Sequence, residues 1–116
     1  MNETELQNRI RLSIGAIAGV RMFRNQVGNF RSLDSKRIIK VGTVGSSDLI
    51  GFTSKTITPD MVGQVIAQYV ALEIKTPTGK VSPQQSAFID MVNKSGGIGA
   101  IVRSVDDAKQ VLFQCL

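Results

Sequence analysis

The sequence contains no histidine and one cysteine, Cys115, and these two shortages exclude several classes of function. A lone cysteine cannot form a disulfide within the chain. Structural zinc sites need several Cys or His ligands, which this chain does not have. Ser-His-Asp and Cys-His nucleophiles require an imidazole base, so those mechanisms are excluded too. Any hydrolytic chemistry must therefore use carboxylates, Lys, Tyr, or a metal ion held by oxygen ligands.

Long apolar runs and linkers are also missing. Apolar stretches are interrupted by Gln, Gly or charge, so none approaches the roughly 20 residues of a membrane span. The polar, acidic start (MNETE) is unlike a secretory signal. No repeat and no Pro-, Gly- or Ser-rich segment divides the 116 residues, a length that suits one domain with its own core. We therefore expect a cytoplasmic protein with a single domain over residues 1–116 and no membrane partner.

Positive charge is in excess and unevenly distributed. The net charge is +5, and residues 20–40 carry six cations against one acid, Asp34. Such an excess attracts polyanions, of which nucleic acid is the commonest, although a solvated face without a partner is the alternative. Lys36 and Arg37 are candidate nucleic-acid contacts within this segment. The six cations are Arg21, Arg24, Arg31, Lys36, Arg37 and Lys40.

Hydrophobic periodicity predicts the order α, three strands, α, β, α. Leu6, Ile10 and Ile14 recur at helical spacing and predict a first helix over residues 3–18. Ser82 and Ser104 are candidate N-caps of two later helices. Residues 28–40 are polar and predict a loop, whereas alternating or apolar segments predict strands at residues 20–24, 48–52, 65–76 and 98–102. This order indicates an α/β sandwich with a mixed sheet, in which residues 65–102 form a right-handed parallel crossover.

Glu73, Lys75 and Asp48 are the polar residues most suggestive of chemistry. Glu73 and Lys75 are two apart in an apolar strand, so their side chains emerge on one face, roughly 6.5–7 Å apart along the chain. Asp48 can converge with Glu73 if their strands are neighbours. Two such carboxylates suit Mg²⁺ or Mn²⁺, and Lys75 could contact a scissile phosphate or orient the attacking water. The alternative is a surface Glu73–Lys75 ion pair of little energetic value.

Several segments resemble, in the right order, the VRR-NUC (virus-type replication-repair nuclease) family, a branch of the PD-(D/E)xK nuclease superfamily. Residues 3–7 (ETELQ) resemble the family's opening Glu-x-x-[Ile/Leu]-Gln helix. Residues 23–28 (FRNQVG) resemble its Arg-Asn-x-x-Gly segment. The other matching segments are 45–51 (GSSDLIG), 72–76 (LEIKT), 79–85 (GKVSPQQ), 96–97 (GG) and 102–104 (VRS).

The resemblance implies a restriction-endonuclease-like αβββαβα core, with a central mixed sheet flanked by helices. It also implies roles for the site residues. Asp48 and Glu73 would bind Mg²⁺ or Mn²⁺, and Lys75 would be the catalytic lysine. Gln85 would lie near the metal or the phosphate, and Glu3 would be the acidic residue carried by the first helix.

Some of these roles have alternatives. Glu5 competes with Glu3, although it also fits a capping box with Asn2. Gln85 is equally suited to cap the helix that follows Ser82. Arg24 and Asn25 could contact nucleic acid or brace the metal site, or simply end a strand. Lys80 could touch phosphate or be a solvated loop residue.

The activity implied by the resemblance is that of a Mg²⁺- or Mn²⁺-dependent DNA endonuclease. Its size and parts resemble homodimeric Holliday-junction resolvases of phage or prophage type, which cut branched DNA in the bacterial cytoplasm. Residues 57–66 could supply a dimer surface, or else belong to the core. A module that binds branched or duplex DNA without cutting it is the alternative function, but it leaves Asp48 and Glu73 without a role. A structural or accessory phage protein is a third possibility.

Overall fold

The computed structural model describes residues 1–34 and 36–113, so Cys115 lies outside the described residues. The chain divides into two compact units, Met1–Thr53 and Ser54–Leu116. The mixed α/β class predicted from the sequence is confirmed, whereas the single domain over residues 1–116 stays a prediction. In chain order the elements are α1 (Glu3–Gly15), β1 (Val20–Arg24), β2 (Gly28–Arg31), β3 (Ile38–Val41), β4 (Leu49–Thr53), a short 3-10 helix (Pro59–Met61), β5 (Val70–Ile74), α2 (Pro83–Lys94), β6 (Ile98–Val102) and α3 (Val105–Phe113).

In the first unit, α1 precedes and contacts β1, which pairs antiparallel with β4. The helix begins at Glu3 because the Asn2 side chain accepts a hydrogen bond from the Glu5 backbone N–H at 2.8 Å, which is one half of the predicted capping box. It ends at Gly15, three residues before its predicted end at residue 18. Gly19 then adopts a φ of 80°, a left-handed conformation that favours glycine, and the chain turns into β1.

The predicted loop over residues 28–40 is wrong, because most of this segment forms an antiparallel hairpin of β2 and β3. Its register pairs Phe30 with Ile39 and Gly28 with Val41, so one face of the hairpin is largely apolar. Polar and basic residues alternate with these apolar ones. The polar composition therefore concealed a period of two, which is the signature of a strand.

In the second unit, α2 connects two parallel strands and packs on both of them. The pairing of β5 with β6 confirms that these strands are parallel, whereas the right-handed crossover stays a prediction. The strand β5 covers Val70–Ile74 and not the whole of residues 65–76. The buried apolar residues of the described chain all lie in this unit: Ile89, Val92 and Val102. Gly99 allows the close approach of α2, because a Cβ there would lie 2.8 Å from the Ile89 carbonyl oxygen.

The end of α2 shows why the chain turns so sharply into β6. Gly96 has a φ of 99°, and its N–H donates to the Asn93 carbonyl. The Gly97 N–H donates to the Val92 carbonyl at 3.0 Å. These two bonds form a Schellman motif, in which glycine relieves the cost of the left-handed residue. The two glycines therefore end α2 and start the turn into β6.

In the second unit, several apolar residues are exposed and two charged residues are partly buried. Residues 57–66 are not ordinary core, because Ile57, Val62, Val65 and Ile66 are between 57% and 97% exposed. Their use as a dimer surface stays a prediction. On β5, Ile74 is 77% exposed, whereas Glu73 and Lys75 on the opposite face are partly buried. The polar pair therefore lies in the more enclosed environment.

Among the described residues, the strands pair as three two-stranded ladders, β1 with β4, β2 with β3, and β5 with β6. The single central mixed sheet and the restriction-endonuclease-like core order therefore stay predictions. None of the helices in the described part of the chain has the length and apolar character of a membrane span.

Candidate active site

A cleft of about 390 Å³ in the first unit brings together four of the predicted site residues, Glu3, Arg24, Asn25 and Asp48. Glu3 comes from the start of α1, Arg24 and Asn25 from the end of β1, and Asp48 from the residue before β4. Antiparallel pairing explains part of this convergence, because β1 ends where β4 begins. The remaining lining residues are Thr4, Gln7, Gln26, Val27 and Phe30.

Asn25 fixes the turn that carries Asp48 into the cleft. Its side-chain amide donates to the Ser46 Oγ at 2.8 Å and to the Ser47 carbonyl at 2.9 Å. Its backbone N–H donates to the Asp48 carbonyl at 2.9 Å. Ser46 in turn donates its hydroxyl to the Thr43 carbonyl at 2.7 Å. Asn25 therefore braces the turn before Asp48, whereas a bracing role for a metal site and a contact with nucleic acid both stay predictions.

Glu3 and Glu5 have different surroundings, which bears on the choice between them. Glu3 lines the cleft together with Gln7, which lies one helical turn further on. Glu5 is not among the residues that line the cleft, and its backbone N–H is held by Asn2. The position of Glu3 agrees with its selection as the acidic residue of α1, while its part in catalysis stays a prediction.

In the second unit, Glu73 is the centre of a compact polar cluster. Its Oε1 accepts a hydrogen bond from Gln85 Nε2 at 2.7 Å and lies 3.7 Å from the Lys75 ammonium nitrogen. The Glu73 side chain is 30% exposed and that of Lys75 is 20% exposed. The backbone N–H of Lys75 donates to the Val102 carbonyl at 3.0 Å, so pairing with β6 fixes its place on the strand. The ion pair is real, but it is more enclosed than the surface pair considered from the sequence.

Gln85 caps α2, as one interpretation predicted, and it also contacts Glu73, whereas a position near a metal or a phosphate stays a prediction. Its side-chain carbonyl accepts from the Ser82 backbone N–H at 2.9 Å, and the Ser82 hydroxyl accepts from the Gln85 backbone N–H at 3.1 Å. These reciprocal bonds are the predicted capping box at the start of α2. Its amide nitrogen donates at the same time to Glu73. The helix cap and the polar cluster therefore share one side chain.

The carboxylates supply the oxygen ligands that Mg²⁺ and Mn²⁺ prefer. Asp48 is exposed in its cleft. The Gln85 hydrogen bond to Glu73 and the 3.7 Å approach of the Lys75 ammonium are both to Oε1. Each carboxylate, taken by itself, offers oxygen ligands of the kind that such an ion takes. The two residues belong to different units, and their use of a common ion stays a prediction.

Three of the predicted phosphate contacts, Lys36, Arg37 and Lys80, are exposed residues in two loops. Lys36 and Arg37 lie between β2 and β3, and Lys36 has a left-handed φ of 56°. The Ser32 N–H donates to the Arg37 carbonyl at 2.7 Å and closes this turn. Lys80 directly follows the turn after β5. The exposure of these cations allows contacts with phosphate, which stay predictions.

Two residues near these sites were not given a role from the sequence. The Arg103 guanidinium donates to the carbonyls of Thr76 at 2.7 Å and Gly79 at 2.8 Å, so it holds the turn that leads to Lys80. An Arg just before a helix cap was the only signal, and it is a weak one. Phe30 lines the Asp48 cleft, but it was missed because its segment was predicted to be a loop.

Comparison with known protein families gives one match. The model of the VRR-NUC domain family matches residues 7–106, which is most of the chain. The match includes Asp48, Glu73, Lys75 and Gln85, whereas Glu3 lies before it. Comparison with curated proteins and with solved structures gives no match.

Proposed function

Because the chain belongs to the VRR-NUC domain family, a nuclease-type domain with DNA as substrate, we propose that it is a metal-dependent DNA endonuclease. The observation that carries the proposal is the arrangement around Glu73. A half-buried carboxylate on a strand is contacted by a lysine ammonium and oriented by a glutamine amide. A helix cap needs no contact between Gln85 and Glu73, and a surface ion pair between Lys75 and Glu73 needs no glutamine. The presence of both contacts on one carboxylate is therefore not explained by either structural role alone.

In this proposal Asp48 and Glu73 hold Mg²⁺ or Mn²⁺. When bound, such an ion stabilises negative charge on the phosphate and makes a bound water more acidic. Gln85 keeps the Glu73 carboxylate in one orientation, because its amide nitrogen donates to Oε1. Asn25 keeps the Asp48 turn in place through its bonds to the preceding serines.

The remaining residues act on the phosphate. In hydrolysis the water oxygen forms a bond to phosphorus and loses a proton, while one bond from phosphorus to a sugar oxygen breaks and that oxygen takes up a proton from solvent. The Lys75 ammonium would contact the phosphate oxygens or orient the water, and either contact is stronger in the transition state, where negative charge accumulates. Arg24 and Lys80 would hold neighbouring phosphates, as would Lys36 and Arg37 on the hairpin turn. Glu3 would complete the carboxylate set in the cleft with Asp48.

The finer parts of the function belong to the same proposal. The enzyme would act on branched DNA in the manner of a Holliday-junction resolvase of phage or prophage type, as a homodimer. A two-fold dimer has two active sites, which suits paired nicks in a symmetric junction. The exposed apolar residues within 57–66 support this proposal as a candidate contact between subunits.

The proposal is tested by incubating the protein with a labelled four-way junction, a flap and a linear duplex, each with Mg²⁺, Mn²⁺ or EDTA. We expect cleavage with either metal and none with EDTA, because the carboxylates would then lack the ion that the reaction needs. Symmetric nicks in the junction would support the dimeric resolvase. If the protein binds these DNAs but cuts none of them with either metal, the nuclease proposal is wrong and the chain is a binding module.

Ser82→Ala and Gln85→Ala separate the two contacts of Gln85. Each substitution removes part of the capping box, and we expect each to lower the free energy of unfolding by about 1 kcal/mol. Gln85→Ala also releases the Glu73 carboxylate and should lower kcat by at least about tenfold, the effect of about 1.4 kcal/mol on the barrier. Ser82→Ala does not touch Glu73 and should leave kcat within about twofold of the wild type.

The two variants are compared by thermal melting and by kcat on the DNA that the wild type cuts best. The Ser82→Ala protein is the matched control for loss of stability. Equal losses of kcat in the two variants would show that capping alone, and not the bond to Glu73, explains the importance of Gln85.

A further inference from the structure

The hairpin of β2 and β3 has two chemically different faces. Residues directly opposite each other in an antiparallel pair share a face, and successive residues alternate between faces. The register pairs Phe30 with Ile39, and Phe30 lines the Asp48 cleft, so this face is the one nearer the cleft. The other face, which we call the outer face, is formed by the pairs Asn29↔Lys40 and Arg31↔Ile38.

Positive charge on the outer face has no partner in the described part of the protein. Arg31 and Lys40 are exposed and are diagonal neighbours across the two strands. Neither forms an ion pair with any residue in 1–34 or 36–113. Side chains at such positions are within reach of each other, and like charges there are unfavourable. An anion bound across both cations would remove this repulsion.

Ile38 lies between these cations and is 68% exposed, so the outer face is also uncovered. The neighbouring turn adds Lys36 and Arg37, while Asp34 is its only described acid. A narrow ribbon with cations along one exposed face and at its tip complements the regular phosphates of a nucleic-acid backbone.

We propose that the outer face of this hairpin binds the phosphate backbone of a second duplex segment, distinct from the segment at the cleft. The proposal rests on the proposed function, in which DNA is cut beside Asp48. A ribbon with its side chains is about 10 Å thick, and duplex DNA is stiff over about 50 nm. One straight duplex therefore cannot lie against both faces of the hairpin. Branched DNA offers a second arm in a different direction, so this surface selects branched over linear substrates.

The test compares Arg31→Gln/Lys40→Gln with Lys94→Gln/Lys109→Gln, a control that loses the same two charges from exposed positions on α2 and α3. Binding of a four-way junction and of a linear duplex is measured by fluorescence anisotropy in EDTA, so the result does not depend on cleavage. We expect the hairpin variant to bind the junction about tenfold or more weakly and the duplex within about twofold of the wild type.

Salt dependence gives a second measure of the same contact. Losing two phosphate contacts should reduce the slope of log affinity against log salt by about 1.8 for the junction, and hardly change it for the duplex. In the control variant, the affinity and its salt dependence should change little, and by the same amount for the junction and the duplex. Arg31→Lys/Lys40→Arg keeps the charges and should bind the junction nearly as the wild type does.

Three outcomes would overturn the proposal. Equal weakening for junction and duplex would show that the outer face contacts the same duplex as the cleft. Unchanged binding of both DNAs would show that the outer face does not contact DNA. A change in oligomeric state of the variant, detected by light scattering, would show that a second copy of the chain covers this face. If circular dichroism shows that the double variant does not fold, the single variants Arg31→Gln and Lys40→Gln are measured instead, with the same criteria.

Discussion

Glu73→Gln and Asp48→Asn are each expected to reduce DNA cleavage by at least about 100-fold while DNA binding is kept or becomes tighter. Each substitution replaces a proposed metal ligand by a neutral amide of nearly the same shape. Charge stabilisation by a metal contributes several kcal/mol, and each 1.36 kcal/mol is a factor of ten in rate. Binding should not fall, because removing a carboxylate reduces its repulsion of the phosphate backbone.

The measurement is single-turnover cleavage of the DNA that the wild type cuts, together with anisotropy binding in EDTA and calorimetric titration with Mn²⁺. Asp90→Asn is a suitable control, because Asp90 is an exposed carboxylate on α2, the helix that carries Gln85. It should cleave like the wild type. If Glu73→Gln and Asp48→Asn both cut DNA at the wild-type rate, these residues do not bind the catalytic metal.

Lys75→Met is expected to lower cleavage by about 100-fold and yet leave Mn²⁺ binding intact. The substitution removes an ammonium that would contact the phosphate in the transition state, and losses of 10²- to 10³-fold are usual when such a group is lost. Metal binding should be kept or strengthened, because the Lys75 cation lies 3.7 Å from the proposed ligand Glu73 and competes for its charge. This combination distinguishes Lys75 from Asp48 and Glu73, because variants of the two carboxylates should lose both DNA cleavage and Mn²⁺ binding.

Cleavage and Mn²⁺ titration are compared with those of Lys109→Met, which removes an exposed lysine from α3. A simple surface ion pair between Lys75 and Glu73 makes a different prediction. It would contribute at most about 1 kcal/mol to stability, and its loss would not affect the rate. Wild-type cleavage by Lys75→Met would therefore support the ion pair and exclude a catalytic lysine.

Local signals in the sequence were sufficient for much of this fold. The strands β1 and β6 have the predicted bounds, because turn or cap residues close to each strand in the sequence mark where it starts or ends. Ser82 and Ser104 were predicted as caps, and both accept a hydrogen bond from the third residue of their helices. Helix caps and glycine turns depend on residues within a few positions of each other, so they can be predicted without knowing the rest of the fold.

The β2–β3 hairpin was missed because its strands are short and half of their residues are polar. In such strands the apolar residues alternate with Asn29, Arg31 and Lys40, which reads as a polar loop unless the pairing is known. Missing this hairpin also concealed Phe30 as part of the cleft. The contact of Gln85 with Glu73 joins positions 12 apart, and spacing alone could not decide between it and the cap.

The shared contacts of Gln85 restrict which side chain can occupy position 85. Its acceptor oxygen receives the Ser82 N–H, and its donor nitrogen binds Glu73. Glutamate could accept from Ser82 but would present a second carboxylate to Glu73 with nothing to donate, and lysine would donate without accepting. Asparagine has both groups on a side chain that is one methylene shorter. The side chain at position 85 must accept a hydrogen bond from Ser82 and donate one to Glu73 with the same planar group, and only glutamine does both at the right length. Substitutions at position 85 should therefore be tolerated far less than those at its neighbour Gln84.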